Sequence, residues 1–232
     1  MSTSEPKPFS NTSQDFLHGM ESHPRAEHFK EVVIQSVEND RDSIARLWLS
    51  EGIPYAFKDS AGVYDELRGY IARRLCISFK DITVLGSGRI GFSMKPNCFG
   101  RDFGVGSDLD LVVVNEGVFS ECREAAETFV LDYKCGKITP SGPREKKNWD
   151  STCQQLHGNI ISGFVDTVKI PNSYRTIYKI NMAMDLAHNR LKRTENCPDF
   201  KSVSVRIYKS WESLIKRVSL NLHCAQVKLL KE

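Results

Sequence analysis

The segment 82–115 constrains the fold more than any other part of the chain, because it contains two apolar runs with polar residues at their ends. The first run, Ile82–Leu85, is followed at once by a Gly-Ser pair. The second run, 109–114, begins inside an Asp-x-Asp sequence. Short runs rich in branched residues are typical of buried strands. We therefore predict two neighbouring strands that bring a Gly-Ser turn close to two carboxylates.

Asp108 and Asp110 lie two residues apart at the head of the second strand, so both side chains leave the same face of the sheet. Magnesium prefers oxygen ligands and keeps part of its coordination for phosphates and water. Gly86 lacks a Cβ, which lets the backbone approach a phosphate, and the Ser87 hydroxyl adds a donor. A solvated strand end and an ordinary turn would explain either feature alone. Together, each joined to a strand, they indicate a phosphate and metal site.

At these residues the sequence resembles the DNA polymerase beta-like nucleotidyltransferase superfamily. That group includes poly(A) polymerases, CCA-adding enzymes, oligoadenylate and cyclic-dinucleotide synthases, and minimal nucleotidyltransferases of bacterial defence and toxin–antitoxin loci. The shared pattern is an apolar residue before Gly-Ser, followed downstream by Asp-x-Asp, and the resemblance covers residues 82–114. It implies an α+β fold in which helices flank a mixed β-sheet.

The resemblance also implies the chemistry of the site. Asp108 and Asp110 would be catalytic and would bind Mg²⁺ or Mn²⁺, while a nucleoside triphosphate (NTP) would lie against Gly86, Ser87 and Ser107. The expected reaction moves a nucleoside monophosphate from the NTP to a hydroxyl on protein, RNA or another nucleotide. The expected partners are the NTP, an RNA or protein acceptor, and a partner protein or second copy of the chain.

Two features depart from the family pattern. The 20 residues between Ser87 and Asp108 exceed the usual spacing, and the surplus carries Lys95, Arg101 and Phe103. This insert could cover the nucleotide or form a structural hairpin, and the sequence leaves both open.

The second departure concerns a third carboxylate, which active members bring from a later strand. The predicted strand Ser202–Tyr208 places Ser204, Arg206 and Tyr208 on its polar face and offers no acid. Asp166 is the best substitute, provided that the short apolar piece before it joins the sheet. An alternative function follows: a catalytically weak nucleotidyltransferase-like protein that senses a nucleotide, or serves as a partner subunit in a defence or toxin–antitoxin system.

Apolar spacing predicts the remaining organisation. We expect a flexible tail over 1–24 and a single domain over 25–232, with a helical lead-in at 25–80, a catalytic-type core at 81–210 and a C-terminal helix at 211–230. Helices are predicted over 26–49 with a break near Asn39, and over 61–75, 119–133, 149–157 and 174–193. The basic segment 134–147, with Trp149 beside it, is predicted to be a polar loop that either contacts nucleic acid or is simply solvated.

Composition narrows the class of protein. The 232 residues are 40% hydrophobic and 26% charged, which is ordinary for a globular chain. No apolar run is long enough to span a membrane, and the first ten residues lack the pattern of a secretory signal. Seven cysteines without metal-ligand spacing indicate free thiols, and we expect a cytoplasmic protein. The net charge of +3 does not indicate binding of nucleic acid over the whole surface.

Overall fold

The computed structural model describes residues 21–231, which form eight α-helices around one four-stranded sheet. All seven cysteines are free thiols, and none of the helices in this range is long and apolar enough to cross a membrane. The predicted α+β class, with helices flanking a mixed sheet, is confirmed. The strands are β1 Ile82–Leu85, β2 Asp108–Val114, β3 Phe164–Asp166 and β4 Ser202–Tyr208. The helices are α1 Ala26–Gln35, α2 Glu38–Leu47, α3 Ala61–Leu75, α4 Ser87–Ile90, α5 Glu116–Lys134, α6 Pro143–Ile161, α7 Arg175–Leu191 and α8 Trp211–Leu229.

The strand order in the sheet is β1-β2-β4-β3. Strand β2 runs antiparallel to β1 and parallel to β4, and β3 runs antiparallel to β4. This register sets Asp110 beside Leu85 on one side and beside Ser204 on the other. The second carboxylate of the Asp-x-Asp pair therefore lies in the middle of the sheet.

The two faces of β2 enter different cores, because side chains alternate along a strand. Leu109, Leu111 and Val113 pack on one face with apolar residues of α3, α5, α6 and α7. Val112 and Val114 pack on the other face with residues of α1, α2 and α8. Asp108 and Asp110 share this second face, so the polar start of β2 adjoins the core that α1, α2 and α8 build.

The first two helices separate at Ser36 and Val37, and not near Asn39 as predicted. The Ser36 hydroxyl donates to the Val33 carbonyl at the end of α1. The Val37 N–H donates to the Asp40 carboxylate at 3.0 Å. The polar residues that suggested a break therefore form the first turn of α2, where a carboxylate stabilises the free N–H groups of a helix start.

The prediction of a polar loop over 134–147 was wrong beyond Gly142, because α6 already begins at Pro143. Proline suits the first turn of a helix, where its missing N–H has no intrahelical partner. Trp149 is buried, with its ring centroid 5.3 Å from that of Phe129 and 5.2 Å from that of Tyr133. The indole is thus a core residue and not a surface ring for stacking on a base.

Residues 1–20 of the predicted tail lie outside the described residues. The last part of that tail contacts the domain: Trp48 Nε1 donates to the Glu21 carbonyl at 2.7 Å. The His23 ring lies 3.0 Å from the Ile53 carbonyl oxygen, and Pro24 is buried.

Candidate functional site

Strand β4 positions the carboxylates of Asp108 and Asp110. Because β2 and β4 pair in parallel, Ser202 lies opposite Asp108 and Ser204 opposite Asp110. The Ser202 hydroxyl donates to Asp108 Oδ1 at 2.5 Å, and the Ser204 hydroxyl donates to Asp110 Oδ1 at 2.8 Å. Among residues 21–231 neither Oδ2 atom has a hydrogen-bond donor. One oxygen of each carboxylate is therefore held, and the other can accept a ligand.

Gly86 brings the turn after β1 into contact with Asp110. Its backbone has φ +64° and ψ −147°, a conformation that essentially only glycine adopts. A Cβ atom at this position would also lie 3.0 Å from Asp110 Oδ2. The structure thus brings the Gly-Ser turn and the Asp-x-Asp pair together, and the close approach of Gly86 to the carboxylate requires glycine.

The residues after Gly86 form the short helix α4, which lies on the sheet. A Cβ at Gly88 would meet the Leu109 and Val84 side chains at 3.1 and 3.2 Å, so α4 packs closely on β1 and β2. Arg89 is only 2% exposed and donates to the carbonyls of Ile53, at 2.6 Å, and Glu51. This guanidinium therefore fixes the loop before α3, whereas the preceding Ser87 lines the cavity described next.

A cavity of about 510 Å³ lies over the two carboxylates, between the sheet, the segment 92–106 and helix α8. Its size is within the range of small-molecule sites in proteins. The charged side chains that line it are Lys95, Arg101, Asp108, Asp110, Asp166, Arg206 and Lys228. Four cations and three carboxylates thus face one space, which suits an anionic ligand that also carries or accompanies a metal ion.

The insert is a hairpin whose basic residues face the cavity. Phe92 and Asp102 form an isolated antiparallel bridge, and the Ser93 N–H donates to the Arg101 carbonyl at 2.8 Å. The Phe103 ring packs against the core beside α4. The segment is thus folded as a hairpin, and this hairpin places Lys95 and Arg101 in the cavity wall.

Ser107 closes the insert and leads into Asp108. Its hydroxyl accepts from the Gly104 N–H at 3.2 Å, and its own N–H donates to the Gly104 carbonyl at 2.7 Å. The Lys201 N–H donates to the Ser107 carbonyl at 2.7 Å, which ties this turn to the start of β4. Ser107 lines the cavity, and its hydroxyl stabilises the turn that orients Asp108.

The surroundings of Asp110 favour a bound cation. Burial among the cavity walls raises the pKa of its carboxyl, and the neighbouring Asp108 charge raises that pKa further. The Ser204 hydrogen bond and the charges of Arg206 and Lys95 act in the opposite direction. Water still reaches the carboxylate through the cavity, since the side chain is exposed there. A cation at Oδ2 of Asp110 would favour the ionised form of that carboxylate.

Asp166, the predicted substitute for a third metal ligand, lies on β3 and is separated from β2 by β4. Its Oδ2 lies 3.7 Å from Arg206 Nη2 and 3.4 Å from Lys169 Nζ. The position on β4 opposite Asp110 is occupied by Ser204. Within residues 21–231 no group of three or more His, Cys, Asp or Glu side chains could hold a metal ion. The structure therefore supplies two adjacent carboxylates and a third that already faces two cations.

Arg206 lies on β4, between Asp166 on β3 and Asp110 on β2. It is paired in register with Asp166, and its charge also acts on Asp110. Its guanidinium carbon lies 5.6 Å from the Phe164 ring centroid. In the described part of the chain its Nε atom is buried without a hydrogen-bond partner. The Arg206 side chain is nevertheless 41% exposed, so its terminal nitrogens can meet a phosphate oxygen.

Helix α8 contributes a wall that the sequence did not predict. Asn221 and Lys228 face the cavity together with Val218, Leu222 and Ala225. The spacing of these residues places them on one side of a helix. The only sequence signal for this wall was that Asn221 and Lys228 lie on the same side of α8 as its apolar residues. Nothing in the sequence indicated that this side of the helix faces the carboxylates.

The donor set fits Mg²⁺ or Mn²⁺ that arrives with phosphates. Magnesium is usually held in nucleotide sites by one or two carboxylates plus substrate phosphates and water. Oδ2 of Asp108 and Oδ2 of Asp110 meet that requirement, whereas a site built only from protein ligands would need more donors.

Comparisons of the chain with protein-family models, curated proteins and solved structures found no match.

Proposed function

We propose that the cavity binds a nucleoside triphosphate with Mg²⁺ or Mn²⁺, and that the protein transfers the nucleoside monophosphate to a hydroxyl on protein, RNA or another nucleotide. A nucleotidyltransferase-like fold is part of this proposal. The observation that carries it is the contact of the Gly86 turn with Asp110, beside Asp108, at the base of a cavity lined by cations. A phosphate chain needs this combination of close backbone approach, basic side chains and metal-binding oxygens.

The cations of the cavity come from three separate elements, so they can surround a phosphate chain. Lys95 and Arg101 belong to the insert, Arg206 to β4 and Lys228 to α8. Charge-assisted hydrogen bonds from lysine and arginine to phosphate oxygens are among the stronger polar contacts in proteins. The Ser87 hydroxyl adds a neutral donor next to Gly86, where the chain approaches most closely.

Asp108 and Asp110 would hold the metal ion through their free oxygens, while Ser202 and Ser204 keep the carboxylates oriented. When bound, such an ion supplies positive charge to the oxygens that enter and leave during phosphoryl-type transfer. Because Asp108 and Asp110 are the only adjacent pair of carboxylates that residues 21–231 bring to the cavity, we expect metal binding and NTP binding to strengthen each other.

A second candidate function is nucleotide binding without turnover, in a sensor or in a partner subunit of a defence or toxin–antitoxin system. Ser204 favours it, because a hydroxyl lies where an acid beside Asp110 would complete the metal site. The attacking hydroxyl must also lose a proton to a base. Asp166 is the remaining carboxylate of the cavity, and it is already near Arg206 and Lys169.

One assay separates the two candidates. The purified protein is incubated with each α-³²P-labelled NTP and Mg²⁺ or Mn²⁺, with RNA and protein acceptors, beside the double variant Asp108→Ala/Asp110→Ala. Asp59→Ala, which removes an 89% exposed carboxylate, is the control. Label that appears in polymer, protein or a nucleotide product with the wild type and Asp59→Ala, and not with the double variant, supports transfer. Metal-dependent NTP binding without any transfer supports the second candidate.

A further inference from the structure

The strand order of the sheet determines the side on which the leaving group of the proposed reaction lies. Gly86 follows β1, whereas β4 and β3 continue the sheet on the other side of β2. The Asp110 carboxylate faces both ways: Ser204 of β4 donates to Oδ1, and Oδ2 lies 3.0 Å from where a Cβ on Gly86 would be. With the phosphates against Gly86 and Ser87, the pyrophosphate lies on the β1 side.

The acceptor must then enter from the side of β4 and β3. Its oxygen bonds to the α-phosphorus while the bond from that phosphorus to the bridging oxygen of the β-phosphate breaks, and the pyrophosphate keeps the electron pair. The hydroxyl proton passes to solvent. The attacking and leaving oxygens lie roughly in line across the phosphorus in such reactions, so the acceptor and the pyrophosphate occupy opposite sides of it.

The charged side chains on the acceptor side are mainly cations. Arg206 of β4 pairs in register with Asp166 of β3, and Lys169 Nζ lies 3.4 Å from the same carboxylate. Arg217 of α8 lies beside them: its guanidinium carbon is 5.1 Å from the Phe164 ring centroid, and that of Arg206 is 5.6 Å from it. Three cations thus accompany one carboxylate at this side of the sheet.

These cations are not neutralised by the residues that the structure describes. Among residues 21–231 Arg217 forms no ion pair, and its Nε is buried without a hydrogen-bond partner, as is the Nε of Arg206. The Lys169 side chain is 46% exposed, so its ammonium group is open to a ligand. A phosphate would pair with these groups through charge-assisted hydrogen bonds, whereas an uncharged acceptor would not. The excess of positive charge therefore favours an acceptor that itself carries a phosphate.

The distance across the sheet fits one acceptor molecule. Neighbouring strands lie about 4.8 Å apart, so β3 is about 10 Å from β2. A hydroxyl over Asp110 and a phosphate near Lys169 and Arg217 are then two parts of one ligand of the size of a nucleotide unit.

We propose that the acceptor hydroxyl belongs to a phosphate-bearing molecule, a free nucleotide or an RNA 3′ end, whose phosphate binds Lys169 and Arg217 with Arg206 beside them. This inference rests on the proposed function, because it selects among the acceptors of that reaction and excludes a hydroxyl on protein. Neither Lys169 nor Arg217 lines the cavity that would hold the NTP. Both residues can therefore be changed without altering the wall of the NTP site.

The test measures steady-state transfer of ³²P from α-labelled NTP by the full chain to nucleosides, to the corresponding 5′-monophosphates, to a short RNA with a free 3′ hydroxyl, and to a mixture of soluble proteins. We expect KM for the phosphate-bearing acceptor to be about tenfold or more below that for the nucleoside, the effect of one charge-assisted contact. A low KM for the monophosphate alone identifies a free nucleotide as the acceptor. A low KM for RNA alone identifies an RNA 3′ end.

Two variants test the residues. Arg217→Met keeps an unbranched side chain against Phe164 without the charge, and Lys169→Met removes the second cation. Each should raise KM for the phosphate-bearing acceptor about tenfold, while KM for the nucleoside and calorimetric NTP binding with Mg²⁺ stay unchanged. Lys216→Met is the matched control, because it removes the same charge from the exposed neighbour of Arg217 and should behave as the wild type.

The results that would overturn the inference differ from those that would overturn the proposed function. Label that enters protein and neither phosphate-bearing acceptor would overturn the inference alone. So would KM values for those acceptors that are no lower than for nucleosides, or folded Arg217→Met and Lys169→Met proteins with the wild-type KM. If the wild type transfers label to none of the four kinds of acceptor, the proposed transfer fails and the acceptor assignment fails with it.

Discussion

Replacing Gly86 with alanine tests how the turn after β1 is coupled to the carboxylates. The Gly86 backbone lies at φ +64° and ψ −147°, where an alanine is strained. The new Cβ would also lie 3.0 Å from Asp110 Oδ2, closer than real Cβ contacts usually are. Either the backbone or the Asp110 side chain must move, and both belong to the candidate site.

The expected magnitude follows from the backbone conformation. A residue forced into such a sparsely populated region costs about 1–3 kcal/mol of folding free energy. For a chain of this length, each kcal/mol lowers the melting temperature by about 2–4 °C. Movement of Asp110 Oδ2 should in addition weaken metal-dependent NTP binding by more than the loss of stability explains.

Urea unfolding and calorimetric NTP titration with Mg²⁺ measure the two effects separately. Gly104→Ala is the matched control, because this glycine lies in the neighbouring insert and a Cβ there would meet nothing within 4 Å. We expect Gly104→Ala to change both quantities little. A Gly86→Ala protein that unfolds at the same urea concentration as Gly104→Ala, and binds NTP as the wild type does, would show that the turn is not coupled to the carboxylates.

Three further substitutions have defined outcomes. The raised pKa of Asp110 means that its ionised form destabilises the fold as pH rises past the usual aspartate range, so Asp110→Asn should melt higher than the wild type at pH 7 without metal. At low pH, where both side chains are neutral, the two proteins should melt at the same temperature. Asp110→Asn should also lose the stabilisation that Mg²⁺ with NTP gives the wild type, and an unchanged melting curve at pH 7 would contradict this prediction. Ser204→Asp places a third carboxylate opposite Asp110, so we expect tighter Mn²⁺ binding by titration and more transfer of ³²P label. Weaker Mn²⁺ binding would show that this position does not adjoin the metal. Arg89→Met leaves the Glu51 and Ile53 carbonyls without their donors and should cost about 1–3 kcal/mol in urea unfolding, compared with almost nothing for the exposed control Arg144→Met.

Much of the fold could be predicted because its signals are local. The apolar spacing of residues 61–75 predicted α3 with its observed bounds, and the alternation of 202–208 predicted β4. Strand β1 likewise has its predicted bounds. In each case the apolar positions within one short window determine the element, and the rest of the chain only has to cover them.

The start of α6 was missed because short-range signals conflict there. Gly142 and Pro143 suggested a continued loop, whereas the proline occupies the first helical turn and Trp149 packs into the core. Composition alone does not distinguish a proline that ends a loop from one that begins a helix. The burial of a tryptophan six residues later decides it, and burial is a tertiary property.

The two carboxylates and the glycine turn could be predicted from sequence, whereas most of their surroundings could not. The hydrogen bonds from Ser202 and Ser204 each span 94 residues and depend on the parallel register of β2 and β4. The wall formed by α8 depends on how the last helix folds back over the sheet. Strand order and helix direction are set by the packing of the whole domain, so no local pattern reveals them.

The most direct test of the proposed function is a crystal structure of the protein with Mn²⁺ and an ATP analogue that is not cleaved between its α- and β-phosphates. Anomalous scattering identifies the Mn²⁺ position. We predict Mn²⁺ in contact with both Asp108 and Asp110, with phosphates beside Gly86 and Ser87. An analogue bound with its metal away from both carboxylates, or a cavity without nucleotide at saturating concentrations of both ligands, would contradict it.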